Sequence, residues 1–584
     1  MTEDSPKTSS LLQVIGGILG LLNSREKRCL ILMFFLGIVD SLAEVLSVGL
    51  VLPYAYVLLD TEKAATYPVL KDLYNLSFIN TQTDFVLFTS LAFLIVYGMK
   101  SAYVVFFSYY RGLLMTGIQT KYALRLYDYY MTRPYEFFFS HNPSVLQRRV
   151  SYNVSVLLNG VLLGLLDLMV SFLICLFLFL MLAAAGSITV LLSCLALILL
   201  FAVLYRKSQG LLGRIAEQYN RVTMNLHKVT LEHFRGVKDL RILNRSTESS
   251  QVVGSRLFRS NYLLVKRTYV ENIPNQILEF GIVAVMLLIV SLSTLQNGSI
   301  QDVLANLSIM GAAAFKLKGS LQRVHQASAR VRETQGFFND IYPDLRRSVD
   351  EDLTRPMPKE DFRFKDCVEV KDVSYRYPGS DQNVLDGLSM RLEAGEVVGV
   401  MGPSGEGKST LADIILGLLE PQTGEVLIDG LPMRSCVSNW QGIVGYVPQD
   451  IYLTDATILE NVALGIPKER IDTKRVMEVL QAAQLEEFVS SLPLGAESVC
   501  GDNGILLSGG QKQRIGIARA LYRNPQVLVF DEATSSLDAD TERQFVDTIN
   551  NMRTGYTMLM VAHRKESLKY CDRVLKVCKG RIEE

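Results

Sequence analysis

The sequence predicts two unlike halves. An all-α polytopic membrane domain, six transmembrane helices with cytoplasmic extensions, covers residues 1–339; an α/β phosphate-loop domain covers 362–584; a charged, proline-bearing linker, 340–361, joins them. Three observations carry this. Apolar stretches of about 20 residues, the length that crosses a bilayer, recur in the front half. The apolar run 397–400 leads into Gly402-Pro403-Ser404-Gly405-Glu406-Gly407-Lys408-Ser409-Thr410, and Leu507-Ser508-Gly509-Gly510-Gln511 answers it downstream.

The chain's 584 residues exceed one domain, and its 49% hydrophobic content is high for a soluble protein, as is its mean hydropathy of +0.22. Candidate spans fall near 29–58, 85–110, 156–183, 186–205, 270–295 and 299–323. An even number of spans puts both termini on one side. Of the connections on the far side, 59–84 holds Lys63 and Lys71, whereas the near side carries Arg25, Lys27, Arg28, Arg148, Arg149, Lys207, Arg235, Lys238, Arg241, Lys266 and Arg267. The positive-inside rule therefore places the second half in the cytoplasm. Residues 11–22, with Glu3 and Asp4 before them and Arg25-Glu26-Lys27-Arg28 after, do not read as a cleavable signal but as an interfacial helix. The eight cysteines form no metal-ligand pattern, and a net charge of +0 gives no argument for nucleic acid.

The glycine loop has a physical logic. Its glycines let successive backbone N–H groups curl around the phosphates of a nucleotide, Lys408 reaches the terminal phosphates, and the Ser409 hydroxyl is placed for Mg²⁺. A helix starting there adds its positive dipole end. A strand-like run, Val527-Leu528-Val529-Phe530, ends in Asp531-Glu532. Ligands bind at the carboxyl edge of parallel α/β sheets, so Asp531 is the group expected to hold Mg²⁺ directly or through its bound water, and Glu532 the candidate that orients or deprotonates the attacking water. ATP and Mg²⁺ are the implied cofactors.

Taken together, the glycine loop, Leu507–Gln511, Asp531-Glu532, Ser536-Leu537-Asp538 and His563 resemble, in order and spacing, the nucleotide-binding domain of ATP-binding cassette (ABC) transporters. The resemblance implies that Gln449 senses Mg²⁺ and the water, that His563 is the switch histidine at the γ-phosphate, and that adenine stacks on Tyr377, with Tyr375 as the alternative. It also implies that Ser508, Gly509, Gly510 and Gln511 close over the nucleotide held by a second copy. One set of motifs per chain makes this a half-transporter, expected to form a homodimer with two competent sites. Cys500 stands where the family usually has an aliphatic residue, and cysteine packs as a small hydrophobe.

Polar stretches with helical periodicity, 111–155 and 206–268, separate the second from the third span and the fourth from the fifth. Arg133-Pro134-Tyr135-Glu136-Phe137-Phe138-Phe139 with Leu146 and Arg149, and Phe234-Arg235-Gly236-Val237-Lys238, resemble the two segments through which six-span exporters touch their nucleotide-binding domains.

Charges inside the spans point to cargo. Asp40 and Glu44 lie one turn apart, Asp167, Glu279 and Lys100 sit in other spans, and Lys316, Lys318 and Arg323 interrupt the last. Such groups are costly in lipid and face a bundle interior or wet cavity. They either pair with one another to hold the bundle or form a cationic patch for a phosphate. Glu44 with Leu52-Pro53-Tyr54, the amphipathic segment 69–76, and Phe315-Lys316-Leu317 through Arg323 resemble the PglK-type family of bacterial flippases, which turn over a polyprenyl-pyrophosphate-linked oligosaccharide. That resemblance assigns Lys100, Lys316 and Arg323 to an anionic lipid-linked glycan. It implies a multi-pass protein of the bacterial cytoplasmic membrane, set in the phospholipid bilayer. A lipid A-like glycolipid, a peptide or a hydrophobic drug are alternative cargoes, and an ATP-gated channel or regulator is the alternative of another class.

Overall fold

Why the long helices of the front half stand where they do follows from a computed structural model that describes residues 11–51, 54, 57–58, 81–184, 188–295, 300–353, 362–533 and 539–583. The chain divides into two units: Met1–Met131 with Ser144–Asp352, and Thr132–Pro143 with Leu353–Glu584. The sequence expectations on Leu52-Pro53, on 69–76 and on Ser536-Leu537-Asp538 lie outside the described residues.

The first unit is helical. Helix α1 (Leu11–Leu21) buries Val14, Ile18 and Leu21. Its Gly17 approaches Phe338 so closely that a Cβ would stand 2.8 Å from that ring, so the expected interfacial helix has a packed face. Helix α2 (Ser24–Gly49) begins in a capping box in which Asn23 and Glu26 exchange bonds of 2.9 Å, satisfying two backbone donors that the first turn leaves open. Helix α3 (Gln82–Met131) has 50 residues; at 1.5 Å per residue it is more than twice as long as the roughly 30 Å hydrocarbon core is thick, so it must project well beyond it.

After the short α4 (Phe137–Ser140) the chain climbs through α5 (Pro143–Arg148), α6 (Val154–Leu158) and α7 (Gly164–Ala184), joined by π-helical turns at Arg149–Asn153 and Asn159–Leu163. Then follow α8 (Ile188–Arg235), α9 (Val237–Ile242), α10 (Ser246–Leu295) and α11 (Ile300–Asp350). Gly160 and Gly164 let the α6–α7 run lie directly on α11: a Cβ at Gly160 would meet Thr334 Cγ2 at 2.2 Å, and one at Gly164 would meet Val331 Cγ2 at 2.6 Å.

Among the described residues, five helices are long and apolar enough to cross a membrane: Ser24–Gly49, Thr83–Met131, Pro143–Ala183, Leu191–Arg235 and Ser246–Ser291. The expected sixth span, 299–323, lies in α11, where Lys316, Lys318 and Arg323 interrupt the apolar sequence, and length and apolarity do not single it out.

Helix α11 runs through Pro343 to Asp350, so 340–350, the first part of the expected linker, is helical. The face carrying Ile341 and Leu345 is fully buried, which outweighs the single backbone bond lost at the proline. Arg149 holds Asp340 at 2.6 Å and Asp344 at 3.0 Å on α11. The second coupling segment, at the α8–α9 turn, leaves Phe234 and Val237 exposed.

The second unit is built on two sheets. A four-stranded sheet has the order β2-β1-β4-β5, with β1 Cys367–Tyr375, β2 Leu385–Glu393, β4 Thr423–Ile428 and β5 Leu431–Pro432. A six-stranded sheet has the order β10-β9-β3-β8-β7-β6, with β3 Val397–Met401, β6 Val444–Val447, β7 Val527–Asp531, β8 Thr557–Ala562, β9 Arg573–Cys578 and β10 Arg581–Glu583. Strand β3 pairs in parallel with β8 and β9, β8 with β7, and β7 with β6. Helices α12 (Lys408–Ile415), α13 (Met433–Ile443), α14 (Ile458–Val462), α15 (Thr473–Ala482), α16 (Glu486–Ser491), α17 (Gly509–Tyr522) and α18 (Ala539–Met552) surround them. Alternation along β7 divides the interior. Leu528 and Phe530 enter the core with α14, α15 and α17, while Val527 and Val529 enter the core with α12 and the antiparallel sheet. Both faces being covered explains why β7 reads as an unbroken apolar run.

Candidate functional site: a phosphate loop at the strand ends

Parallel pairing brings four chain segments to one edge of the sheet. Met401 is level with Ala562, Asp531 with Val561, and Val447 with Phe530. The residues that follow each strand, Gly402–Thr410, Gln449, Glu532 and His563, therefore emerge side by side. Sequence separation of more than 150 residues vanishes at this edge.

The loop itself requires its glycines. Gly407 has a φ of +92° at the N-cap of α12, in the left-handed region that favours glycine, and its Cβ would also strike the Val384 carbonyl at 2.7 Å. A Cβ at Gly402 would stand 2.3 Å from the Val577 oxygen. Lys408 is 4% exposed and donates to the Pro403 carbonyl at 2.8 Å, which folds its ammonium back over the loop. Its Nζ is 3.4 Å from His563 Nε2 and 3.7 Å from Glu532 Oε1. His563 Nε2 closes the triangle at 2.5 Å from the same carboxylate oxygen. Ser409 Oγ donates to Asp531 Oδ1 at 3.0 Å.

Electrostatics follow burial. Desolvation pushes the Asp531 carboxyl above its ordinary range, opposed by the Ser409 hydroxyl. Asp413, on α12, is raised to about 6 by burial and by the neighbouring Asp531 charge. A cation at this edge relieves both.

Tyr377 and Tyr375 are sorted by their surroundings. Tyr375 is fully buried and its hydroxyl donates to Glu136 at 2.9 Å. Tyr377 is half-buried, its hydroxyl is 3.0 Å from Thr410 Oγ1, and Phe139 packs edge-on against its ring. Of the two, Tyr377 flanks the loop. Glu406 accepts a bond from the Lys579 backbone N–H. Ser508 caps α17 in a reciprocal box with Gln511, so the Gln511 carboxamide is engaged in its own helix, while Ser508 and Gly509 are exposed and Gly510 is half-buried. The Gln449 carbonyl accepts from Gln513 at 2.8 Å.

In the helical unit, Lys100 and Lys316 converge on one oxygen, Glu44 Oε2, at 2.9 Å for Lys100. Lys318 pairs with Glu279 at 2.5 Å. Arg323 makes no ion pair among the described residues and donates to Ser320 Oγ at 3.3 Å. Sequence reasoning passed over Arg111 and Arg330, which hold Asp167 at 2.5 and 3.3 Å. The signal was present: Lys316, Arg323 and Arg330 recur every seven residues on one helix.

A glycine loop between β3 and α12, carboxylates at the end of β7, a histidine after β8 and a helix-capping Ser-Gly-Gly define an ABC transporter ATPase domain, and residues 385–535 match the family model described as ABC transporter. Over that domain the chain is similar to the ABC transporter family. Its fold is shared with a solved structure described as "Structure of a bacterial Atm1-family ABC exporter with ATP bound", at a TM-score of 0.71 and 21% identity, covering 96% of this chain and 94% of that one. Among curated relatives, the ATP-dependent lipid A-core flippase of Aromatoleum aromaticum is 27% identical over 82% of this chain and 78% of its own length. Those of Cupriavidus metallidurans and Pseudomonas aeruginosa are 41% and 34% identical over 36% and 47% of this chain, and the matches span 36% and 45% of those relatives.

Proposed function

We propose that the chain is one half of a homodimeric, ATP-driven exporter that turns a phosphate-bearing, lipid-linked glycan across the bacterial cytoplasmic membrane. The observation that carries the ATPase reading is the convergence of Lys408, Glu532 and His563 beside the phosphate loop. Lys408 is assigned to the terminal phosphates, Glu532 to the attacking water, His563 and Gln449 to the γ-phosphate side, and Tyr377 to the adenine. Ser409 and Asp531 offer adjacent hard oxygen ligands, a donor set that fits Mg²⁺, which when bound neutralises phosphate charge. The exposed Ser508, Gly509 and Gly510 are assigned to a second copy's nucleotide.

For cargo, a polyprenyl-pyrophosphate-linked oligosaccharide and a lipid A-like glycolipid share one chemistry, a phosphate on a lipid-borne sugar. The cations Lys100, Lys316 and Arg323 suit both, and the relatives named ATP-dependent lipid A-core flippase support a lipid-glycan exporter, which the lipid A reading fits equally. A peptide, a hydrophobic drug or a gated channel needs no such cations. Purified protein in proteoliposomes, given ATP, is tested for vectorial transport of each lipid alongside ATPase activity. Transport of one lipid in step with hydrolysis is expected; hydrolysis that neither lipid alters, without transport, refutes the reading.

A further inference from the structure

The helical unit repeats one charge motif. On helices α3 and α11, Lys100 and Lys316 share Glu44 of α2, and farther along the same two helices Arg111 and Arg330 share Asp167 of α7. Lys316, Arg323 and Arg330 are spaced by seven, so they line one face of α11, and Lys316 and Arg330 are about 21 Å apart at 1.5 Å per residue. Lys100 and Arg111 are spaced by eleven, which also keeps them on one face, about 17 Å apart. Between these two sets lies Arg323, without an ion pair among the described residues, and Asp40, 8% exposed, whose Oδ1 has no hydrogen-bond partner. Five cations thus share a stripe with three carboxylates, Asp40, Glu44 and Asp167.

Bundle-holding alone calls for one cation per carboxylate. Here two cations from different helices converge on each of two carboxylates, the arrangement that a phosphate's several acceptor oxygens satisfy better than one carboxylate does. Arginine strengthens the case at the second cluster, since its planar fork suits phosphate. The side chains of Arg111 and Arg330 keep 25% and 50% of their surface accessible.

We propose that Arg111 and Arg330 form a second phosphate station, at the cytoplasmic end of the stripe, for the headgroup of an anionic membrane lipid, with Asp167 as the internal anion that holds the station until the headgroup enters. The proposal rests on the lipid-exporter reading above. It makes Asp167 a competitor of the cargo, so removing its charge strengthens binding, whereas a carboxylate that merely ties the bundle gives the opposite sign.

The test uses the full-length protein in nanodiscs, reading the half-saturating concentration of undecaprenyl pyrophosphate for stimulation of ATPase activity, with Tm measured in parallel. Asp167→Asn is expected to lower half-saturation about three- to tenfold, and Arg111→Gln/Arg330→Gln to raise it at least about tenfold. Should the double glutamine variant fail to fold, Arg111→Lys/Arg330→Lys keeps the charge without the fork and is expected to raise half-saturation by a smaller factor. Undecaprenol, without phosphate, and inorganic pyrophosphate, without lipid, are each expected to leave the rate unchanged; an equal response to inorganic pyrophosphate overturns the lipid assignment. Asp167→Asn with a lower Tm and an unchanged or higher half-saturation overturns the station while leaving the exporter reading intact. A wild-type protein indifferent to both undecaprenyl pyrophosphate and lipid A removes the exporter reading and the station with it.

Discussion

His563 Nε2 lies 2.5 Å from Glu532 Oε1, joining a residue that follows β8 to one that follows β7. Glu532 adopts a φ of 47°, a left-handed conformation uncommon for a non-glycine residue, and its N–H donates to the Val561 carbonyl at 2.9 Å. The adjacent strand thus fixes the turn that aims this carboxylate toward Lys408 and the histidine.

That aim leads to the first prediction. On the proposed assignment of Glu532 to the attacking water rather than to holding nucleotide, Glu532→Gln should retain ATP binding and lose turnover by about 100- to 10,000-fold. Lys408→Ala should weaken binding itself. Nucleotide titration and phosphate release, measured on both variants, separate the two effects; near-normal hydrolysis by Glu532→Gln refutes its assignment as base.

A second prediction concerns the two copies. A mixed dimer of one Ser508→Arg chain and one Lys408→Ala chain should gather both defects in a single composite site and spare the other. Placing both changes on one chain damages both sites. Equal residual ATPase activity of the two arrangements argues against reciprocal completion of the sites.

Cargo handling gives a third. With Lys316 removed, Glu44 keeps Lys100 at 2.9 Å, so the carboxylate stays paired and Lys316→Ala should fold. Loss of charge-assisted bonds, at about 1.5–3 kcal/mol each, should reduce flipping of a phosphate-bearing glycolipid by roughly ten- to a hundredfold in Lys316→Ala/Arg323→Ala. Full-rate flipping by a well-folded double variant refutes the cationic patch.

The Asp413 carboxyl supplies a pH test. Its folded value, about 6, lies above the ordinary carboxylate value, so its contribution to stability is present at acid pH and is lost as pH rises through 6. Asp413→Asn should therefore be more stable than wild type at pH 7.5, by about 1–2 kcal/mol after allowance for solvent screening, and the gap should close near pH 4. Thermal unfolding with EDTA and without nucleotide, across that range, checks the sign.

Packing gives the last. Gly160→Ala should destabilise the helical unit by about 1–3 kcal/mol through overpacking, because the new Cβ meets Thr334 Cγ2 at 2.2 Å. Thr334→Ala removes that methyl group and should restore part of the lost Tm in the double variant.

What the sequence determined by itself was everything written in local order. Gly402–Thr410 after an apolar run, Asp531-Glu532 at the end of another and Ser508-Gly509-Gly510 ahead of a helix are contiguous patterns whose chemistry depends on neighbours within a few residues. The long apolar helices were legible for the same reason, since bilayer thickness acts on consecutive residues. Tertiary structure alone decided the partners. Tyr375 reaches Glu136 across 239 positions, Arg149 reaches Asp340 and Asp344, and Arg111 and Arg330 meet at Asp167 from separate helices. It also decided that 340–350 continues a helix, because the burial of Ile341 and Leu345 outweighs the proline between them. Ion pairs and side-chain packing depend on distance in space, and a chain sets that distance only after its strands have found their register and its helices their facing sides.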